Sequence, residues 1–174
     1  MRRLKVKGRE GLYHCYSRIV GRERLLDARC REVLRIQIRR VSEFCGVEVL
    51  AWCVMSNHFH VLVRVPGESA MGLGNAELLR RYGVLYPKPT RWQLLRREVL
   101  QKQLEAGGKE GELARGKLCA RMHDLSQYMK TLKQRYSVWY NRTHGLNGDV
   151  VERALWEHPG GGPGPGAADR QRVY

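Results

Sequence analysis

The order of apolar and polar positions predicts a strand followed by a helix near the start of the chain. Residues 11–20 are rich in aromatic and β-branched side chains, which is typical of a strand. In residues 27–45 the apolar positions recur at helical spacing. Asp27 is a suitable N-cap for this helix and Gly46 a suitable stop. The pattern therefore predicts a strand, a turn and then a helix of about 18 residues.

Two further strand-like runs follow at residues 47–54 and 59–65. Residues 55–57, Met-Ser-Asn, make a short connection between them, and Pro66-Gly67 ends the second run. The pattern predicts two strands joined by a tight connection.

The middle of the chain predicts helices. Residues 75–82 and 92–106 have helical character, and residues 107–111 form a polar, glycine-rich break. Residues 117–141 predict one long helix. Its apolar stripe consists of Leu118, Met122, Leu125, Met129, Leu132, Tyr136 and Trp139.

The composition changes after Gly148. Residues 159–166 read Pro-Gly-Gly-Gly-Pro-Gly-Pro-Gly, which cannot form the interior of a helix or a strand. We therefore predict two parts, a folded domain over residues 1–148 and a disordered tail over residues 149–174.

Charge and cysteine content narrow the class of protein. The chain has 174 residues, a formal net charge of +15 and a pI of about 10.1, which favours a polyanionic partner such as nucleic acid. No apolar run is long enough to span a membrane, and no signal sequence follows the basic N-terminus. The five cysteines lack CxxC spacing and predict reduced thiols in a cytoplasmic protein. They are Cys15, Cys30, Cys45, Cys53 and Cys119.

The sharpest chemical feature is the pair His58 and His60 in the second strand of the predicted pair. Residues i and i+2 of a strand point to the same face, so the two imidazoles are expected side by side. At that spacing two ring nitrogens can bind one divalent metal ion. A bare His-x-His on a strand is more often incidental, so the flanking residues decide its meaning.

Those flanking residues resemble a known family. Residues 51–63, Ala-Trp-Cys-Val-Met-Ser-Asn-His-Phe-His-Val-Leu-Val, are similar to the HUH motif of the single-tyrosine transposases. That family includes insertion-sequence transposases and REP-associated tyrosine transposases. The resemblance continues in residues 13–18 and 128–145, and it extends over about residues 1–148.

The resemblance implies an α+β fold, a ferredoxin-like antiparallel sheet with helices packed on one face. It implies that His58 and His60 bind Mg²⁺ or Mn²⁺, which polarises a phosphate of single-stranded or hairpin DNA. In the family, a tyrosine of a late helix attacks this phosphate during DNA transposition and gives a 5′-phosphotyrosine and a free 3′-OH. The family contains dimers and monomers, so a homodimer is left open. The third metal ligand is not predicted.

The chain departs from the family where the catalytic tyrosine is expected. Codons for Asp149–Trp156 can be chosen that, read one base later, encode Thr-Leu-Trp-Asn-Glu-Arg-Phe, which fits the family pattern. We therefore expect the tail to be an out-of-frame translation and no residue to act as the catalytic nucleophile. Tyr136 is predicted to lie in the core, Tyr128 and Tyr140 are left open as exposed, and Tyr174 ends the tail.

Basic side chains near the histidine strand and on the long helix are the candidates for DNA contacts. They are Arg18, Arg22, Lys130, Lys133, Arg135 and Arg142. Two functions remain open at this point, a metal-dependent enzyme that nicks and joins DNA strands and a non-catalytic DNA-binding remnant, of which we favour the second. A basic metal-binding module without DNA specificity is a third.

Overall fold

A four-stranded antiparallel sheet lies at the centre of the computed structural model, which describes residues 9–20, 26–152 and 155–157. The strands are β1 (Gly11–Arg18), β2 (Glu48–Val54), β3 (His58–Val65) and β4 (Leu155–Glu157). Their order across the sheet is β2-β3-β1-β4, so β1 and β3 are the central strands. The strands predicted at residues 11–20, 47–54 and 59–65 are confirmed.

The helices are α1 (Ala28–Cys45), α2 (Asn75–Val84), α3 (Arg91–Ala106), α4 (Gly108–Cys119) and α5 (Leu125–His144). Helix α1 connects β1 to β2, and the other four helices lie in the chain between β3 and β4. This chain order, with β1 and β3 side by side, is the ferredoxin-like arrangement. The predicted α+β fold class is confirmed.

Helix α1 is defined by its two caps. The Asp27 side chain accepts a hydrogen bond from the Cys30 backbone N–H at 2.7 Å, which satisfies one of the free donors of the first turn. Gly46 follows the helix at φ 63°, a left-handed conformation that a residue without a Cβ adopts at little cost. Both caps were predicted from the sequence, and both are confirmed.

The two faces of the sheet differ in burial. Along β1, Tyr13, Cys15 and Ser17 are buried, whereas the residues between them are half-buried or exposed. Along β3, Phe59 and Val61 are buried in the same alternating way. We call the face that carries the other set of side chains the open face. The alternation means that this face is not the one that faces the hydrophobic core.

Helices α1 and α5 supply the other half of the core. They pack against each other, and their buried residues include Leu34, Ile38, Tyr128 and Leu132. Tyr128 lies close to Cys15 of β1, which places α5 on the buried face of the sheet. Helices α1 and α5 therefore cover the buried face of the sheet and not the open face.

The prediction of one continuous helix over residues 117–141 is wrong, because two helices share this segment. Helix α4 ends at Cys119, and α5 begins only at Leu125. His123 has a positive φ of 50°, and the Asp124 side chain caps α5 by accepting from the Gln127 backbone N–H at 2.9 Å. An aspartate at this position favours a new helix start over a continuous helix.

The polar break predicted over residues 107–111 is also shorter than expected. Helix α4 starts at Gly108, so the break is confined to Gly107, which has φ 65°. Gly111 belongs to the helix, and a Cβ there would lie 2.6 Å from the carbonyl oxygen of Gln103. The glycine therefore permits a close approach of α3 and α4 instead of a loop.

The tail predicted to be disordered from residue 149 contributes to the sheet. Val150 and Val151 are buried, and Val151 bridges to Ile19. Leu155–Glu157 pairs with β1 as the fourth strand. Backbone groups of residues 151 and 155–157 therefore pair along β1 or just after it, whereas the predicted division of the chain at residue 148 stays a prediction. Residues 158–174 lie outside the described residues.

Two smaller expectations concern cysteines and membranes. All five cysteines have free thiols, and four of them are buried, with Cys53 exposed. Within the described ranges, none of the helices combines the length and the apolar character that a membrane crossing requires.

Candidate functional site

His58 and His60 both lie on the open face of β3. Their ring centroids are 5.2 Å apart and the ring planes are nearly perpendicular, at 80°. Both side chains are half-buried, whereas Phe59 between them is fully buried on the other face. The structure therefore brings the two imidazoles side by side within reach of solvent, as the i, i+2 spacing predicts.

Asn57 holds the ring of His58. Its side-chain oxygen lies 2.7 Å from Nδ1 of His58. A carbonyl oxygen can only accept, so Nδ1 of His58 carries the proton and donates it to Asn57. In a neutral imidazole the other nitrogen, Nε2, then has a free lone pair.

His14 is a site residue that the sequence analysis missed. Its Nε2 atom lies 2.9 Å from Nδ1 of His60, and the two ring planes are almost parallel, at 5°. His14 lies on β1, two residues before Tyr16, which pairs with His60 across the ladder. The available signal was the strand alternation, which places His14 on the same face as Tyr16. The β1–β3 register that brings it to His60 is set by tertiary pairing.

Tyr16 and Arg18 complete the cluster. The Tyr16 ring lies 4.8 Å from the His60 ring and 5.5 Å from the His58 ring, measured between centroids. Arg18, which pairs with His58 across the ladder, donates from Nε to the Tyr16 hydroxyl oxygen. That hydrogen bond raises the pKa of the Arg18 guanidinium, which stays charged. The cluster thus joins two imidazoles, a phenol and a permanent cation.

A cavity of about 300 Å³ opens at this cluster and is lined by Tyr16, Arg18, Asn57 and His58. Its size suits a phosphate or a nucleotide fragment better than a large ligand, because drug-sized pockets begin at about this volume. The cavity therefore places a polar, cationic surface beside the histidine pair.

The electrostatics of His60 favour a neutral ring. Burial lowers the pKa of His60, and the neighbouring His14 and His58 lower it further. A neutral imidazole is the form that binds a metal ion. His60 is thus held in its ligand form near neutral pH.

The donor set fits a divalent ion with an open coordination sphere. Two rings with centroids ~5 Å apart can direct one nitrogen each to a common ion at about 2.1 Å. Among the residues that the structure describes, no group of three or more histidine, cysteine or acidic side chains converges on one point. The histidine pair would leave the remaining positions to water and phosphate oxygens, the ligands that Mg²⁺ and Mn²⁺ prefer. The third ligand stays unassigned.

The predicted DNA-contacting residues are not all brought together. Arg18 lies at the site, and Arg22 falls outside the described residues. The other four lie on α5, which packs on the buried face of the sheet, away from the histidines. Two of these, Lys130 and Arg142, are exposed.

The remaining two α5 cations make contacts within the fold. Lys133 donates from Nζ to the Glu152 carbonyl oxygen at 3.3 Å. Arg135 donates to the Leu85 carbonyl oxygen and lies over the Tyr86 ring. Burial lowers the pKa of Arg135. The structure therefore shows an intramolecular use for both, and their contact with DNA stays a prediction.

The tyrosines of α5 lie in the core. Tyr136 is fully buried, as predicted. Tyr128 and Tyr140, for which exposure is an open expectation, are also buried. Burial raises the pKa of Tyr128 and of Tyr136. None of these three phenols is placed to attack a substrate on the open face, and Tyr174 lies outside the described residues.

Comparison with known proteins finds one family model that matches part of the chain. Residues 9–72 match the sequence model of the family described as "Transposase IS200 like". Comparison with curated protein sequences finds no match.

Two solved structures are similar to the chain. One is a REP-associated tyrosine transposase bound to a REP hairpin, at 16% identity and a TM-score of 0.48, matched over 91% of this chain. The chain spans 60% of that protein's length. The other is a candidate transposase from Deinococcus radiodurans R1, at 17% identity and a TM-score of 0.33, with 50% of this chain and 68% of that chain covered.

The matched segment runs from just before β1 to just after β3, so it contains His14, Tyr16, Arg18 and both histidines of β3. The resemblance predicted from the HUH-like residues is therefore confirmed. Over residues 9–72 the chain carries the sequence pattern of the IS200-like transposases.

Proposed function

We propose that the chain binds single-stranded or hairpin DNA on the open face of the sheet, with Mg²⁺ or Mn²⁺ held by His58 and His60. The observation that carries the proposal is the pair of solvent-accessible imidazoles, each with Nδ1 engaged by a neighbouring side chain. This leaves Nε2 of both rings for an ion. In the family that the chain resembles, such DNA binding is part of DNA transposition.

The ion would neutralise charge on a backbone phosphate and polarise its phosphorus–oxygen bonds. The chain's own residues would fix the DNA beside it. Arg18 is exposed and permanently charged, so it can contact a phosphate oxygen. Tyr16 presents a ring beside both histidines, on which an unpaired base can stack. The net charge of +15 supports binding through counterion release.

We further propose that this binding occurs without strand cleavage. In the family the attacking tyrosine comes from a late helix. The three tyrosines of α5 are buried in the core and do not reach the open face, on which the histidine pair lies. Residues 149–174 are predicted to be an out-of-frame translation of the region in which the family carries that tyrosine. The nucleotide sequence of the gene tests this origin, because the bases after the Gly148 codon must encode the Trp-x-Glu-Arg-Phe pattern in the shifted frame.

One observation favours a second function, cleavage and rejoining of the strand. The Tyr16 hydroxyl lies on the open face beside the histidine pair, where it accepts a hydrogen bond from Arg18. Nucleophilic attack also requires alignment with the scissile bond. The two functions differ in whether a covalent protein–DNA adduct forms.

The test uses a fluorescent hairpin oligonucleotide with a single-stranded flank and the protein with Mn²⁺. The proposal predicts salt-sensitive binding by fluorescence anisotropy and no adduct on a denaturing gel. An adduct that survives denaturation and disappears in Tyr16→Phe would instead establish cleavage by Tyr16. No binding of the hairpin in low salt would contradict both functions.

A further inference from the structure

We propose that His14 is a positioning residue that fixes the proton of His60 on Nδ1 and so presents Nε2 of His60 to the metal ion. This inference rests on the proposed metal-dependent function and assigns a role to a residue outside the histidine pair. It concerns which nitrogen of His60 carries the proton. If the proton of His60 is not fixed on Nδ1, Nε2 of His60 carries it in part of the molecules and cannot bind the ion there.

The geometry of the two rings identifies a true in-plane hydrogen bond. The ring centroids are 5.0 Å apart, yet Nε2 of His14 and Nδ1 of His60 are separated by only 2.9 Å. The distance between the two nitrogens is shorter than the distance between the two centroids by nearly the largest amount that two five-membered rings allow. Both nitrogens therefore lie near the line that joins the centroids. The planes differ by 5°, so each lone pair or N–H bond points along that line.

A neutral imidazole carries one N–H, so the bond has two arrangements. If His14 donates, His60 accepts at Nδ1 and carries its proton on Nε2, where it blocks an ion. If His60 donates, His14 accepts and Nε2 of His60 has a free lone pair. An ion shared with His58 selects the second arrangement, and the His14 acceptor stabilises it. In that state the proton of His14 lies on its own Nδ1.

The sheet builds this contact through the register of its central strands. Tyr16 is opposite His60, and His14 is the next residue along β1 on the same face. Diagonal neighbours of this kind lie within reach of long side chains. His14 thus lies in the hydrogen-bonded ladder of two central strands and not in a loop. This position suits a residue whose ring must keep a fixed orientation toward His60.

Asn57 performs the corresponding task for His58. The Asn57 oxygen accepts from Nδ1 of His58 at 2.7 Å, in the same way that His14 accepts from His60. Ligand histidines are commonly oriented by such an acceptor on the other ring nitrogen, and its loss costs about 10–100-fold in metal affinity. The two imidazoles would then present Nε2 together, each locked by a different partner.

The experiment measures Mn²⁺ affinity by isothermal titration calorimetry on the full chain. His14→Leu removes the acceptor, and we expect about 10-fold or greater loss of affinity. His14→Gln restores an oxygen acceptor near the position of the lost Nε2, and we expect affinity within about threefold of the wild type. His144→Leu is the matched control, because His144 lies at the end of α5 with Nδ1 on the Tyr140 carbonyl oxygen. Equal affinity in His14→Leu and wild type, or equal loss in the Leu and Gln variants, would overturn the proposal.

A second measurement does not depend on a variant. Long-range ¹H–¹⁵N correlation spectra of the wild type with saturating Mg²⁺ report which nitrogen of His60 is protonated. The proposal predicts a proton on Nδ1 of His60 and an unprotonated Nε2 on His14. A proton on Nε2 of His60 would overturn it, even if His14→Leu failed to fold.

Metal binding by the histidine pair and positioning by His14 can be tested separately. If wild-type protein binds no Mn²⁺, the proposed metal-dependent function is wrong. If it binds Mn²⁺ through His60 and His14→Leu binds equally well, only the role of His14 is wrong.

Discussion

The side-chain oxygen of Asn57 lies 2.7 Å from Nδ1 of its sequence neighbour His58, at the turn where β3 begins. The backbone of Asn57 is used separately, since its carbonyl oxygen accepts from the Ile19 N–H at 2.9 Å. Asn57 therefore joins the residue that follows β1 to the connection before β3 through its main chain, and it orients a candidate ligand through its side chain.

This division of roles gives the first prediction. Asn57→Leu keeps the main-chain contact but removes the acceptor for His58, so Mn²⁺ affinity should fall by about 10-fold or more while the fold is retained. Asn57→Asp keeps an oxygen acceptor and should bind at least as tightly as the wild type. Calorimetric titration of the three proteins is the measurement. A Leu variant with wild-type affinity would show that Asn57 does not orient the ring.

The second prediction concerns Arg18 and DNA. Arg18→Ala should weaken hairpin binding and lower the slope of log affinity against log salt by about one contact, because one phosphate loses its cation. Arg64→Ala is the matched control on the same strand pair, since Arg64 is already paired with Glu48 and Glu10. Fluorescence anisotropy over a salt series gives both slopes. Equal slopes for the two variants would place the DNA elsewhere.

The third prediction tests whether the fold extends past residue 148. Val151 is 5% exposed and bridges to Ile19, so Val151→Ala should destabilise the protein by about 1–3 kcal/mol. Val138 on α5 is 63% exposed, and Val138→Ala should change stability by less than about 0.5 kcal/mol. Urea unfolding followed by circular dichroism measures both. An unchanged midpoint for Val151→Ala would return the boundary to residue 148.

The fourth prediction concerns thiol access to the open face. Cys53 is exposed and pairs with His60 across β2 and β3, whereas burial raises the pKa of Cys15 to about 12. A disulfide reagent at pH 8 should therefore modify one thiol rapidly in the folded protein and five after unfolding. The fast reaction should disappear in Cys53→Ser. Modified protein should also bind hairpin DNA more weakly, because the adduct lies beside the histidines. Rapid reaction of Cys15 would contradict the assigned faces of β1.

Much of the sheet follows from local pattern. Alternation in β1 and β3, and the Asp27 and Gly46 caps of α1, depend on a few neighbouring residues and are readable without the fold. The same is true of the shared face of His58 and His60, which needs only the period of a strand.

Two features that the sequence did not predict depend on contacts between residues distant in the chain. His14 reaches His60 through the register of β1 against β3, and no local pattern sets that register. Val151 is buried against Ile19, although the residues after it have the composition of a disordered segment. The break before α5 is instead a local feature, because the Asp124 side chain caps a helix that begins at Leu125 and so interrupts an apolar stripe that continues on both sides.

The central claim is that His58 and His60 together hold one divalent ion on the open face. Calorimetric titration of Mn²⁺ into the wild type and into His58→Ala and His60→Ala tests it most directly. We expect one site in the wild type, loss of that site in each alanine variant and unchanged unfolding midpoints, because both side chains lie outside the core. A wild type that binds no Mn²⁺, or alanine variants that bind it as tightly as the wild type, would contradict the account.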